Sequence, residues 1–146
     1  MSNDRMDLIE KEIEIQQRNV SYDTKEYTIE LIVSKYLDNI EDEQNEFFVP
    51  DYQREFVWDD ERQSRFIESL MMGLPIPYLF LAENSDGRYE IVDGSQRIRT
   101  LSAFLKDELV ITNVDKINYL NGMKFSQLNS SRQRKFRNIS FGVSIK

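Results

Sequence analysis

A short segment, Asp93 to Arg97, lies between a stretch typical of a β-strand and a stretch typical of an α-helix. Arg88 to Val92 carries the aromatic and β-branched residues of a strand, and Ile98 to Lys106 carries apolar residues at helical spacing. A chain that turns from strand to helix in this way directs backbone N–H groups and the positive end of the helix dipole toward one point, where phosphate binds readily. The sequence therefore predicts a sheet, a helix packed beside it, and a phosphate-binding corner between them.

Each residue of this segment has a role in the prediction. Gly94 permits a positive φ and the close approach of a ligand to the backbone. Ser95 and Gln96 supply N–H groups of the first helical turn, and Arg97 presents a bidentate fork to a phosphate. Asp93 is a candidate to hold Mg²⁺ or to orient a water molecule. The alternative is a simple turn at Asp93-Gly94, with Arg97 paired to a nearby acid.

A second group of candidate site residues lies between Pro50 and Trp58. Arg54 is a second candidate phosphate ligand, and the aromatic side chains around it, Tyr52 included, could stack on a base. The alternative is an aromatic cluster in the core, which would hold Phe56 and Trp58, with Arg54 in an ion pair at its rim.

The composition removes several kinds of chemistry. The 146 residues include no cysteine and no histidine, which excludes disulfides, thiol nucleophiles, Ser-His-Asp triads and nearly all zinc sites. No apolar run approaches the roughly 20 residues that a membrane span requires, and the polar N-terminus does not resemble a signal peptide. The sequence predicts a cytoplasmic protein with no membrane partner.

The net charge of −7 is unevenly distributed, because residues 113–146 contain seven basic residues and one acidic residue. Most of these bases lie in a predicted short helix from Ser131 to Asn138. They are Arg132, Arg134, Lys135 and Arg137. A solvated helix face is the ordinary interpretation of such a cluster, and contact with nucleic-acid phosphates is the alternative.

Helices and strands alternate along the chain without repeats, which predicts the α+β or α/β class. Residues 1–21 are predicted to form an N-terminal helical arm with an apolar stripe that ends at Val20, and residues 22–146 to form the folded domain. The last predicted strand, Ile139 to Ile145, stops one residue before the end of the sequence. We therefore expect a fragment of a longer protein.

The sequence of the helix that follows Trp58 supports two local predictions. Asp60 and Gln63 have the spacing of a capping box at its start. Arg65 and Glu68, three residues apart, are predicted to form a surface ion pair.

Three motifs in this chain resemble one family in order and spacing. They are Pro50 to Trp58, Ser64 to Pro77, and Val92 to Arg97. Together they resemble the N-terminal domain family of GmrSD-type, modification-dependent restriction systems, whose signature reads Asp-Gly-Gln-Gln-Arg. The resemblance covers Tyr22 to Ile145 and implies an α+β fold of the ParB/sulfiredoxin type, with a mixed sheet and flanking helices. Sulfiredoxin chemistry itself is excluded, because it requires a cysteine.

The resemblance also implies a function. Such domains bind and hydrolyse a nucleoside triphosphate with Mg²⁺, coupled to cleavage of modified foreign DNA in phage defence by a nuclease domain that this chain does not contain. The resemblance implies that Asp93 and Arg97 are catalytic and that Asp93 holds the metal. The nucleotide-binding residues are Tyr52, Gln53, Arg54, Gly94, Ser95, Gln96 and Arg97. Ser95 departs from the family's usual glutamine, which leaves binding through its backbone N–H intact but puts hydrolysis in question.

Two other classes of function stay open at this point. One is a non-catalytic ParB-like module that binds DNA or a nucleotide without turnover. The other is an interaction domain that recruits a partner or a second copy of itself, which includes a homodimer. The predicted partners are a nucleoside triphosphate and DNA, the latter reached through a nuclease-bearing remainder or partner.

Overall fold

The computed structural model describes residues 2–19 and 22–146. The helices are α1 Ser2–Asn19, α2 Ile29–Leu37, α3 Asp60–Met71, α4 Ser95–Leu105 and α5 Ser130–Arg137. The strands are β1 Asp23–Thr28, β2 Phe47–Phe48, β3 Leu79–Glu83, β4 Tyr89–Asp93 and β5 Ser140–Ile145. Short 3₁₀ turns at Asp51–Gln53, Asn118–Leu120 and Phe125–Gln127 were not predicted from the sequence.

The strands form one sheet in the order β1-β5-β3-β4-β2. β1 pairs with β5 and β3 with β4 in antiparallel fashion, whereas β3 pairs with β5 and β2 with β4 in parallel. This mixed sheet with accompanying helices confirms the predicted α+β class. β3 lies at the centre of the sheet, so any element that packs on its start is fixed relative to the whole domain.

The core lies between the sheet and helices α2, α3 and α4. Strand β3 shows the alternation of a half-buried strand, since Leu79 and Leu81 are buried and Phe80 is exposed. Helix α4 packs against α2 and α3 and buries Ile98 and Leu101 completely. Other fully buried side chains are Ile29, Ile32, Phe47, Ile67, Ile91, Phe104, Ile111 and Val143.

Helix α5 is anchored by a cluster of three aromatic rings. Phe136 of α5 lies edge-on to Phe104 of α4 at 5.2 Å between centroids, and Phe125 completes the cluster at 5.3 Å from Phe104. All three side chains are buried. The cationic side chains of α5 therefore project from a helix whose position the core fixes.

The start of α3 differs from the predicted capping box. Asp59, and not Asp60, is the N-cap, and its carboxylate accepts a hydrogen bond from the Arg62 N–H at 2.8 Å. Gln63 instead donates its side-chain amide to the carbonyl of Trp58 at 3.2 Å. The N-cap lies one residue earlier than predicted, because either aspartate can satisfy the local sequence pattern.

The predicted ion pair between Arg65 and Glu68 is wrong. Arg65 pairs with Glu61 at 3.9 Å, whereas Glu68 is buried and accepts hydrogen bonds from two backbone N–H groups. The donors are Lys116 at 2.9 Å and Ile117 at 2.8 Å. Glu68 of α3 thus fixes the position of the loop that follows α4. Helical spacing alone does not reveal this contact.

Helix α1 confirms the predicted helix at the N-terminal end. Its described side chains are exposed along its length, including apolar Met6, Ile9 and Ile13 of the predicted stripe. Val20, the last residue of that stripe, lies outside the described residues. Of the helices that the structure describes, none has the length and apolar character to cross a membrane.

We expect Asp107 to stabilise the fold in a pH-dependent way. Its carboxylate accepts from the Ser126 N–H at 2.9 Å, and hydrogen bonding with Ser126 lowers the pKa of Asp107 below its ordinary value. Such a group stabilises the fold above its unfolded pKa of about 3.9 and loses this contribution as the pH falls below that value. In urea titrations, Asp107→Asn should be less stable than the parent at neutral pH, and the difference should shrink toward pH 2.

Asparagine suits this position because Asp107 has a positive φ of 61°, which asparagine tolerates. The substitution therefore removes the charge without adding backbone strain. A stability difference that stays constant across the acidic range would contradict this role for the carboxylate.

Candidate functional site

The turn from β4 into α4 requires glycine at position 94. Gly94 has φ +111°, and a Cβ at this position would lie 2.3 Å from Leu79 Cδ2 and 3.1 Å from Arg97 Nη2. The carbonyl of Gly94 accepts the N–H of Ile98 at 3.1 Å, which starts the hydrogen-bond ladder of α4. The absence of a side chain thus lets the N-terminus of α4 sit directly against the start of β3.

A cavity of about 340 Å³ opens at this corner. It is bordered by Gln53, Trp58, Val92 and the segment Asp93 to Arg97. The structure therefore brings the predicted segment together with Gln53 from the upstream motif. Gln53 is held there by a hydrogen bond from its side-chain amide to the carbonyl of Val92 at 2.9 Å.

Arg97 is largely buried at this corner, with a side chain 11% exposed. Its guanidinium donates hydrogen bonds to the carbonyls of Pro77 and Tyr78, the latter at 3.2 Å. The Asp93 carboxylate lies 3.8 Å from Nη2. Burial lowers the pKa of Arg97, and the charge of Asp93 partly offsets this effect. The alternative predicted for Arg97, a pair with a nearby acid, is present, and its role as a phosphate clamp stays a prediction.

Asp93 presents one accessible carboxylate to the cavity, with a side chain 70% exposed. Among residues 2–19 and 22–146, no three acidic side chains converge as a metal cluster. A single carboxylate nevertheless fits Mg²⁺, which proteins commonly hold through one or two carboxylates together with the phosphates of a substrate. The role of Asp93 as a ligand of Mg²⁺ stays a prediction.

The side chain of Gln96 holds residues 55–58, of which Trp58 borders the cavity. Its oxygen accepts the N–H groups of Val57 at 3.0 Å and Trp58 at 3.1 Å, and its amide donates to the carbonyl of Glu55 at 3.0 Å. The sequence predicted only a backbone role for Gln96 and missed this one. No local pattern indicates it, because the partners lie 38 to 41 residues away.

The two aromatic residues among residues 55–58 lie in different environments. Trp58 is half-buried and lies edge-on to Phe66 at 5.7 Å between centroids, as the core alternative predicts. Phe56 is exposed, and the guanidinium of Arg99 lies 5.1 Å from its ring. The expectation of a core position is therefore wrong for Phe56.

Tyr52 and Arg54, two of the predicted nucleotide ligands, are not among the residues that border this cavity. Tyr52 is 73% exposed, and its hydroxyl donates to the Glu90 carboxylate at 2.9 Å, which raises the pKa of Tyr52. Arg54 pairs with Asp51 at 2.7 Å and with Glu43 at 3.6 Å. Their assignment as nucleotide ligands stays a prediction.

Arg54 borders a second cavity, of about 560 Å³, together with Arg88 and Arg99. Neither Arg88 nor Arg99 was predicted as a site residue from the sequence. Arg99 follows Arg97 by two residues on the same predicted helix, and side chains at that spacing point to different faces, so Arg97 gave no signal for it. A single arginine at the start of a strand, such as Arg88, is also ordinary.

The four basic residues predicted near the C-terminal end lie on α5. Arg132, Arg134 and Lys135 are exposed, and Arg137 is half-buried with its guanidinium 4.9 Å from the ring of Phe125. Within the described part of the chain, no ion pair involves any of these four side chains. Their contact with nucleic acid stays a prediction.

We expect Gly94→Ala to be one of the most damaging single substitutions in this domain. A positive φ costs a non-glycine residue roughly 1–2 kcal/mol, and the added Cβ overpacks Leu79 at a cost of roughly 1–3 kcal/mol. The free energy of unfolding, measured in urea, should fall by about 2–5 kcal/mol. Gly87→Ala is the matched control, because Gly87 has φ +84° with nothing within 4 Å of the added Cβ. Equal losses for both variants would contradict the close packing at the corner.

No curated protein and no solved structure matches the chain. A family model described as "GmrSD restriction endonuclease, N-terminal domain" matches residues 33–144, which is well over half of the sequence. The matched region includes both candidate cavities and all three motifs that carried the resemblance. The chain belongs to the family of GmrSD restriction endonuclease N-terminal domains.

Proposed function

We propose that the corner cavity binds a nucleoside triphosphate with Mg²⁺ and hydrolyses it, and that this activity regulates a restriction protein in phage defence. The observation that carries the proposal is the meeting of Gln53 with Asp93 to Arg97 around one cavity at a helix N-terminus. Its volume of about 340 Å³ falls in the range of ligand pockets. Membership of a restriction endonuclease family supports the cellular role.

The first turn of α4 supports phosphate binding. Ser95, Gln96 and Arg97 begin the helix, so their N–H groups have no partners within it. The positive end of the helix dipole lies at the same place, and the Arg97 guanidinium adds a full charge next to it. Because Arg97 is already oriented by the carbonyls of Pro77 and Tyr78, little conformational entropy would be lost when a phosphate arrives.

The chemistry of the site suits phosphoryl transfer. This reaction depends on positioning and on charge stabilisation more than on a protein nucleophile, and the cavity offers no cysteine or histidine for the latter role. Asp93 would hold Mg²⁺ or orient the attacking water, and Arg97 would stabilise the charge that builds on the phosphate oxygens. Bound Mg²⁺ would neutralise phosphate charge. Gln53 and Trp58 would form the walls that position the nucleotide.

Helix α5 supports a second, separable contact with DNA phosphates. Three of its cations are exposed and lack ion pairs within the described residues, although the protein as a whole carries a charge of −7. A cationic surface retained on an acidic protein favours an anionic partner. In this proposal the domain works in the cytoplasm beside a nuclease that resides in another domain or partner.

We expect Asp93→Asn to abolish the Mg²⁺-dependent response to nucleotide. A ligand at 100 times its dissociation constant stabilises a fold by about 2.7 kcal/mol, which corresponds to a rise of several degrees in Tm at this size. The parent protein should show this rise with ATP, GTP, CTP or UTP plus Mg²⁺, and should release phosphate. Asp93→Asn should lose both, without unfolding, because the side chain is largely exposed.

Asp86→Asn is the matched control, since Asp86 is an exposed carboxylate 3.8 Å from Arg88, as Asp93 is 3.8 Å from Arg97. A flat response of the parent protein at millimolar nucleotide would overturn the proposal. A response that both variants lose equally would show that the corner is not the site. Binding without phosphate release would reduce the proposal to a nucleotide-binding module.

The DNA contact of α5 has its own test. Neutralising Arg132, Arg134 and Lys135 to glutamine should weaken binding to duplex DNA and lower the slope of log K against log salt by about 2–3, at roughly 0.9 per phosphate contact. The slope is measured by fluorescence anisotropy over a range of NaCl concentrations. An unchanged slope would assign DNA binding to another surface.

A further inference from the structure

The second cavity, of about 560 Å³, is larger than the corner cavity and shares no bordering residue with it. We propose that it binds a nucleoside monophosphate unit, either as a free nucleotide or as one unit of a single strand. This inference goes beyond the proposed hydrolysis, because it concerns a different cavity with a different set of arginines. We call this second cavity the arginine cavity.

The phosphate would bind to guanidinium groups from three separate segments. Arg54 follows the 3₁₀ turn, Arg88 precedes β4, and Arg99 lies in α4. Each arginine has five N–H donors. Arg88 donates from two of its nitrogens to Asn45, at 2.9 and 3.3 Å, and its third nitrogen lies 3.8 Å from Asp86. Arg99 uses one donor on the carbonyl of Arg54, and Arg54 uses Nε on Asp51. Arg54 and Arg99 therefore supply most of the donors that remain for a ligand rich in acceptor oxygens.

The remainder of the lining suits a planar apolar group. Tyr36 and Phe48 contribute rings, and Ile40, Val49 and Pro50 contribute aliphatic surface. The Arg88 guanidinium lies over the Phe48 ring, at 4.3 Å from its centroid, so a cation and an aromatic ring are in contact in this lining. A bare inorganic anion would leave this surface unused. A nucleoside phosphate uses both halves of the lining.

Two acids in the lining moderate the positive charge. Glu43 lies 3.6 Å and Asp51 lies 2.7 Å from the guanidinium of Arg54. A phosphate bound to Arg54 would be repelled by both carboxylates, so their removal should strengthen binding. This gives a gain of affinity as a test, and a gain cannot result from a damaged fold.

The experiment is an isothermal titration of the full 146-residue chain with deoxyadenosine 5′-monophosphate, with inorganic phosphate as the second probe. We expect Arg54→Gln to weaken binding of the monophosphate about tenfold, and Glu43→Gln to tighten it about threefold. The matched controls are Arg65→Gln and Glu61→Gln. They remove a surface pair in which the arginine is 58% exposed, against 59% for Arg54, and both should leave the affinity unchanged.

Three results would overturn the inference. The first is no binding of the monophosphate at millimolar concentration. The second is inorganic phosphate that binds as tightly as the monophosphate, which would mean that no nucleoside is recognised. The third is a loss in Asp93→Asn as large as that in Arg54→Gln, which would place the probe in the corner cavity. The result for ATP hydrolysis is independent of all three, so either proposal can fail alone.

The source of the nucleotide is resolved with an eight-nucleotide single strand. The titration uses the chain with Arg132, Arg134 and Lys135 neutralised, so that α5 does not contribute. A strand whose affinity falls in Arg54→Gln and rises in Glu43→Gln identifies a nucleic-acid strand as the ligand. A monophosphate that responds to these substitutions while the strand does not bind identifies a free nucleotide.

Discussion

The contact between Gly94 and the start of β3 determines where both cavities lie. Because Gly94 has no side chain, the N-terminus of α4 rests on Leu79, and Arg97 reaches the carbonyls of Pro77 and Tyr78. β3 is the central strand of the sheet, so α4 is fixed to the centre of the sheet. A functional site built on such a helix keeps its geometry without help from a ligand.

Helix α4 in turn holds residues 54–58, which border both cavities. Gln96 makes three hydrogen bonds to residues 55–58, and Arg99 donates to the carbonyl of Arg54. Arg54 borders the arginine cavity, whereas its neighbour Gln53, which bonds to Val92 of β4, borders the corner cavity. Consecutive residues of one motif thus serve different cavities.

The sequence predicts what local chemistry decides. The strand, the glycine turn and the helix around Gly94 follow from period and composition, and the α+β class follows from their alternation. Arg65 pairs with Glu61 and not with the predicted Glu68, because Glu68 is buried against residues 116 and 117. The sequence could not predict this burial, since it depends on where residues 116 and 117 lie in the folded chain. The side-chain role of Gln96 and the cavity of Arg54 share this cause, since contacts across some 40 residues leave no periodic signal.

Residues 55–58 are held by long-range contacts of a different kind from those that hold the helices and strands. Within the described chain, the hydrogen bonds of residues 55–58 all involve side chains of α3 or α4, with no backbone ladder. Each such bond contributes roughly 0.5–1.5 kcal/mol. Residues 55–57 are exposed and only Trp58 packs against the core, so displacement of residues 55–57 costs less than displacement of α4, which the core holds. A ligand that gains contacts by displacing residues 55–58 would change the shape of both cavities at once.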